Sequence, residues 1–213
     1  MGRRRPTTDR QARVAAMRAE EQRKDRRHKL FVYGSTAAIV VGLVTAVAVP
    51  IAREAGDRAA IEARAQAPIP GVVQTANLSR NHVESQVSYA TSPPVGGDHH
   101  PVWLNCGVYD EPVPEEHAVH SLEHGSVWIT YDPALPAAEV SKLTGKAEGE
   151  AYVLVSPHEG QQSPIVLTAW GHQLELNSAD DQRIDPFLVR YLQGEQTPEP
   201  GAVCHSGIGT PVA

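Results

Sequence analysis

Sulfur is scarce in this 213-residue chain. Both methionines, Met1 and Met17, lie near the N-terminus, so everything beyond them is without a thioether. Soft Cu(I) sites favour thioether or thiolate ligands, and their absence argues against a methionine-based Cu(I) carrier. Only two cysteines occur, Cys106 and Cys204, which allow one intramolecular pairing. No phosphate-cradling glycine loop, nucleophile elbow or dinucleotide fingerprint is present, and no internal repeat is visible.

Charge is missing from one stretch altogether. Leu30–Val49 (LFVYGSTAAIVVGLVTAVAV) runs 20 positions without a charged residue, and a membrane-spanning helix needs roughly 20 predominantly apolar residues. Residues 1–29 carry eleven Lys and Arg against four Asp and Glu, whereas the rest of the chain is acidic. The positive-inside rule then places the head in the cytoplasm and the bulk of the chain outside. A cleaved signal peptide would have a shorter apolar core, typically ~7–15 residues, behind a shorter head. The expectation is an uncleaved single-pass anchor in the cell membrane. The basic head serves topology, and no nucleic acid partner is expected.

The expected organisation is a basic cytoplasmic head over 1–29, a transmembrane helix over 30–50 and a helical stalk and linker over 51–70. An extracytoplasmic domain over 71–194 follows, then a Pro/Gly-rich tail over 195–213. Pro68, Pro70 and Gly71 stop the stalk. Within the domain, Val87–Tyr89, Ser126–Tyr131, Tyr152–Val155, Ile165–Trp170 and Gln173–Leu176 read as strands. Helices are expected over Pro112–Gly125, Pro136–Lys146 and Asp180–Leu192. The fold class is α+β, with a mostly antiparallel sheet and flanking helices.

Nine of the ten histidines fall within residues 82–205, and five within 99–124. In Pro112–Gly125 (PVPEEHAVHSLEHG), His117, His120 and His124 share one helical stripe, with Ala118, Val119 and Leu122 opposite. His120 and His124, four residues apart, can hold one ion from adjacent turns. The preceding loop offers His99 and His100 between Gly97 and Pro101. A histidine site of this kind suits Zn²⁺ or Cu²⁺. Histidines that merely satisfy hydrogen bonds are the competing reading. HSLEH at His120–His124 also matches the H-x-x-E-H string of inverted zinc peptidases, with Glu123 as the water-activating base. A sustained helix is needed for that, and Gly125 ends this one. Exported cysteines commonly oxidise, so Cys106 and Cys204 are expected to form a disulfide, with metal ligation by Cys106 as the alternative.

The motifs PPVGGDHHPVW (Pro93–Trp103), NCGVYDEPV (Asn105–Val113), HSLEHGSVWITYDP (His120–Pro133) and TAWG (Thr168–Gly171) stand behind a single basic-flanked span. In this combination the chain resembles domain-of-unknown-function family 3105, membrane-anchored extracytoplasmic proteins common in actinobacteria. The resemblance covers roughly residues 75–192. It implies an anchored topology and brings no established reaction. His99, His120, Glu123 and His124 lie inside the family-like motifs, as does His82; His117 and His172 do not belong to the pattern.

A Zn²⁺ or Cu²⁺ site built from His99, His120 and His124, completed by His82, His100 or Glu123, is therefore expected. The protein would be an accessory or metal-handling component with a membrane-complex or cell-envelope protein as partner. The rival classes are a metal-free interaction module and a zinc-dependent hydrolase.

Overall fold

The computed structural model of the protein describes residues 7–213, with side chains from Arg10 onward; the first six residues of the basic head lie outside the described residues. The chain divides into two compact units, one ending at Arg58 and the other spanning Ala59–Ala213. The first is the greater part of a single 60-residue helix, α1 (Thr7–Gln66), in which the apolar stretch is unburied and Pro50 is interior. By length and composition α1 suits a membrane anchor or a signal sequence. The helix ends at Gln66, immediately before Pro68 and Pro70, whose rings and missing N–H groups cannot continue it.

The second unit is an α+β domain around one six-stranded sheet. In chain order its elements are β1 (Val72–Gln74), β2 (Gly107–Val108), α2 (Glu115–Glu123), β3 (Val127–Tyr131), α3 (Ala137–Thr144), β4 (Val153–Pro157), β5 (Ile165–Ala169), β6 (His172–Leu176) and α4 (Ile184–Tyr191). The strands lie in the order β1-β6-β5-β3-β4-β2.

The sheet is mixed, which corrects the expectation of a mostly antiparallel one. β1–β6, β6–β5 and β5–β3 pair antiparallel, but β3–β4 and β4–β2 pair parallel. The cause is non-local. α3 carries the chain back from the end of β3 to the start of β4, so the two strands run the same way. Val87–Tyr89 forms no strand.

β3, β4 and β5 are buried at every position. Strands covered on both faces read as near-continuous apolar runs, as VWITY, VLVSP and IVLTA do. On one face Val127, Ile129, Val153, Val155, Ile165 and Leu167 pack with Leu143 of α3 and with Ile184, Phe187 and Tyr191 of α4. On the other face Trp128 and Leu154 pack with Ala118, Val119 and Leu122 of α2. Because successive strand residues point to opposite faces, the two clusters are separate layers. The second layer supports the histidines.

Candidate metal centre

α2 begins after Pro114, with Glu115 and Glu116 in its first turn, where acids favour the positive helix end. It stops at Glu123 because Gly125 takes φ +92°, a conformation strained for any other residue. A Cβ on Gly125 would also collide with the Gln193 amide and with Thr197. Between these ends Ala118, Val119 and Leu122 are fully buried against the sheet. His120, Glu123 and His124 are buried as well, beneath the loops that precede and follow the helix.

One of those loops carries His99. Residues 93–97 are buried throughout. Gly96, at φ +136°, lies so close to Trp170 and Leu78 that a Cβ would stand 2.8 Å from the leucine methyl. An isolated parallel bridge joins His82 to His99, with Val83 N–H donating to the His99 carbonyl at 2.8 Å and His99 N–H to Asn81 at 3.0 Å. This bridge sets the two rings side by side, 4.9 Å between centroids. The His120 ring is 4.9 Å from that of His82 and 4.8 Å from that of His99.

The orientation of each ring is fixed by its Nδ1. That atom lies 2.7 Å from the Gly97 carbonyl in His99, 2.6 Å from the His100 carbonyl in His120 and 2.7 Å from the Val203 carbonyl in His124. A carbonyl oxygen can only accept, so Nδ1 carries the proton and donates in all three. In the neutral ring Nε2 is then a lone pair. Imidazoles that ligate metals are commonly held in this way, with the second nitrogen donating to a carbonyl or carboxylate.

Two Nε2 atoms, of His99 and His82, approach the Glu123 carboxylate. His99 Nε2 lies 2.9 Å from Glu123 Oε2, and His82 Nε2 lies 3.7 Å from the same oxygen. Although 2.9 Å is ion-pair distance, the buried His99 Nε2 and Glu123 Oε2 make no aligned hydrogen bond. Two buried lone pairs cannot face each other at this distance unless a cation, metal or proton, sits at one of them. Ligand atoms of His82, His99, His120 and Glu123 all lie within 4.8 Å of one another, a separation suited to a shared ion.

Electrostatics agree with a site that draws in positive charge. Burial alone would push the His99 pKa down, but the Glu123 carboxylate and the Gly97 carbonyl outweigh it and the net shift is upward. Burial alone would raise Glu123, yet His99 and the surrounding imidazoles hold it below its usual range. His120 is pushed down to about 4 by burial, reinforced by repulsion from His124, His99 and His82. Its imidazole is therefore neutral at physiological pH.

A family model described as "Protein of unknown function (DUF3105)" matches residues 82–206. The chain belongs to this family. The matched region of the family 3105 domain starts at His82 and includes all four residues of the first group, together with both cysteines. A second model, described as "Inhibitor of host cell division protein domain", matches residues 8–64, and that similarity is confined to α1. No curated protein and no solved structure matches the chain.

The family 3105 domain holds a second group next to the first. Ligand atoms of His120, His124 and Glu199 lie within 4.8 Å of one another, with His124 Nε2 3.6 Å from Glu199 Oε2. Glu199 comes from the C-terminal tail, whose N–H at that residue donates to the Glu123 carbonyl at 3.1 Å. Cys106 and Cys204 stand at disulfide distance, Cα–Cα 5.4 Å, and fasten the tail to β2. Trp103 covers the His124 and His120 rings at 5.0 and 5.8 Å, and Trp170 meets His99 edge-on at 5.8 Å.

Of the residues singled out from sequence, His82, His99, His120 and Glu123 come together, and His124 joins His120 on the other side. The His100 ring does not enter either group. It packs on His117 at 4.0 Å, accepts from Val102 N–H, and contributes only its carbonyl, which orients His120. His172 packs on Tyr191, and His158 pairs with Glu115. Glu199 was not anticipated. Nothing local in a Pro-rich tail marks it; the only signal was the pairing of Cys204 with Cys106, which returns the tail to the histidines.

Proposed function

We propose that the protein binds one divalent transition-metal ion, Zn²⁺ or Cu²⁺, through His82, His99, His120 and Glu123. Three imidazoles and one carboxylate form a borderline-hard donor set without sulfur, which suits these ions and disfavours Cu(I). The observation that carries the reading is the buried, unaligned approach of His99 Nε2 to Glu123 Oε2. The α1 helix acts as a single-pass anchor with its basic end in the cytoplasm, and the domain works outside the membrane. There it serves metal handling or the assembly of a membrane or cell-envelope complex, whose protein component is the partner.

A hydrolase fits less well. In the H-x-x-E-H arrangement the two histidines hold the ion and the glutamate activates water. Here the Glu123 carboxylate meets His99 and His82, as a ligand would. The metal-free interaction module has one specific observation in its favour: the upward shift of His99, which lets a proton neutralise the contact with Glu123.

Metal analysis of the full-length chain, purified in detergent, separates these readings. Copper or zinc that co-purifies, or titrates in at submicromolar concentration, supports the metal site. If neither ion binds more tightly than micromolar, the interaction module takes its place.

A further inference from the structure

The two ligand groups share His120. Resting on the metal reading above, we propose that they are alternative positions for a single ion, which the domain hands from the four-donor position to the His120–His124–Glu199 position for release.

His120 Nδ1–H is committed to the His100 carbonyl at 2.6 Å, so a single lone pair, on Nε2, remains for ligation. His120 belongs to both groups, and with Nδ1 committed, Nε2 is the atom it can offer to either. An ion among His82, His99 and Glu123 takes it; an ion beside His124 and Glu199 needs it too. An ion fully ligated at the four-donor position leaves the second with two protein donors, His124 and Glu199, and an ion at the second position leaves the first one donor short. The positions are adjacent, because the His120 centroid is 4.8 Å from His99 and 4.5 Å from His124.

Hand-over is a ligand exchange in which no electron moves. Bonds from the ion to His82 Nε2, His99 Nε2 and Glu123 Oε2 break as bonds to His124 Nε2, a Glu199 oxygen and one solvent water form, with His120 retained and four ligands kept throughout. No proton has to leave His124, because its proton already sits on Nδ1 against the Val203 carbonyl. Each position supplies one carboxylate, so the charge of the site is unchanged by the move. The two carboxylates differ in access: the Glu123 side chain is 3% exposed and that of Glu199 is 50% exposed. A chelator or an acceptor protein can approach the ion at Glu199 and not at Glu123. His82 is also half exposed, but it brings no charge to draw the cation outward.

The test uses the full-length chain in detergent, loaded with Co²⁺ as a visible probe and challenged with excess EDTA. The expected result is one ion per chain, with removal slowed by about tenfold or more in Glu199→Gln and in His124→Gln. The amount of Co²⁺ bound at equilibrium is measured on the same samples, so that the removal rate is expressed per bound ion. Glu199→Gln changes an exposed side chain, so its folding is not at issue. Two ions per chain would overturn the proposal, because His120 cannot serve both fully. Unchanged removal rates in both variants would overturn it as well, while leaving the four-donor site intact. Absence of any bound ion in the unaltered chain would instead remove the metal reading on which the hand-over rests.

Discussion

Replacing Glu123 by Gln separates metal ligation from mere structural pairing. The side chain keeps its size and loses its charge. In the metal-free variant the new amide N–H can donate to Nε2 of neutral His99, a bond worth ~0.5–1.5 kcal/mol net. Metal-free stability should therefore stay within about 1.5 kcal/mol of the unaltered chain. The metal-bound state behaves differently. An ion that binds only the folded chain, at about 1,000 times its Kd, adds ~4 kcal/mol. Loss of a partner in a metal site weakens affinity by up to about a hundredfold, which we take as the least expected for a lost anionic ligand. The same ion concentration is then about 10 times Kd, and the increment falls to ~1.4 kcal/mol. The difference of ~2.7 kcal/mol corresponds to a Tm increment smaller by ~5–11 °C for a unit of this size. Thermal unfolding with and without Zn²⁺ measures it. Trp103, Trp128 and Trp170 all lie in the 59–213 unit, so tryptophan emission reports on the relevant fold. A variant that keeps the full Zn²⁺ increment would refute ligation by Glu123.

Three further outcomes are expected. Glu139 accepts from Lys142, from Ala179 N–H and from Ser178, linking α3 to the loop before α4, and its pKa is lowered to about 2. A depressed carboxylate stabilises the fold above its unfolded pKa, and that contribution disappears as pH falls through the folded value. Glu139→Gln should thus be less stable than the unaltered chain at pH 7, with the gap in urea midpoint closing as pH falls from 4.5 toward 2; a pH-independent gap would contradict this. Joint replacement of Cys106 and Cys204 by Ser opens a crosslink of 98 residues' separation. It should cost up to ~4–5 kcal/mol on the chain-entropy argument and impair ion release, while Zn²⁺ still binds the four-donor position. A membrane-impermeant lysine reagent applied to intact cells should label Lys142 and leave Lys24 and Lys29 unmodified; the reverse pattern would refute the orientation.

The parts of the fold legible in the sequence are those whose signal is local. VWITY and IVLTA are β-branched and apolar over five residues, and both are strands. The α4 pattern of Ile184, Phe187, Leu188 and Tyr191 predicts the buried face that packs on the sheet. β1 and β2, at three and two residues, carry too little pattern to be seen, and strand direction is a property of the connection rather than of the strand. The site divides in the same way. Helical spacing accounts for His120 and His124 on one side of α2. His82 meets His99 through a backbone bridge, and Glu199 meets His124 where the tail is held by its N–H on the Glu123 carbonyl and by the Cys204–Cys106 pair, all contacts between residues distant in sequence. His100 and His117, which sequence proximity placed beside the site, stack on each other instead, since the chain needs the His100 carbonyl to hold His120.

X-ray absorption at the zinc edge of the Zn²⁺-loaded, full-length protein tests the central claim most directly. The account predicts nitrogen and oxygen donors at ~2.0–2.2 Å, no sulfur, and the outer-shell scattering of three imidazoles. His99→Gln should reduce the imidazole signal to two rings. A hydrated ion without imidazole scattering, or a sulfur donor at ~2.3 Å, would contradict it.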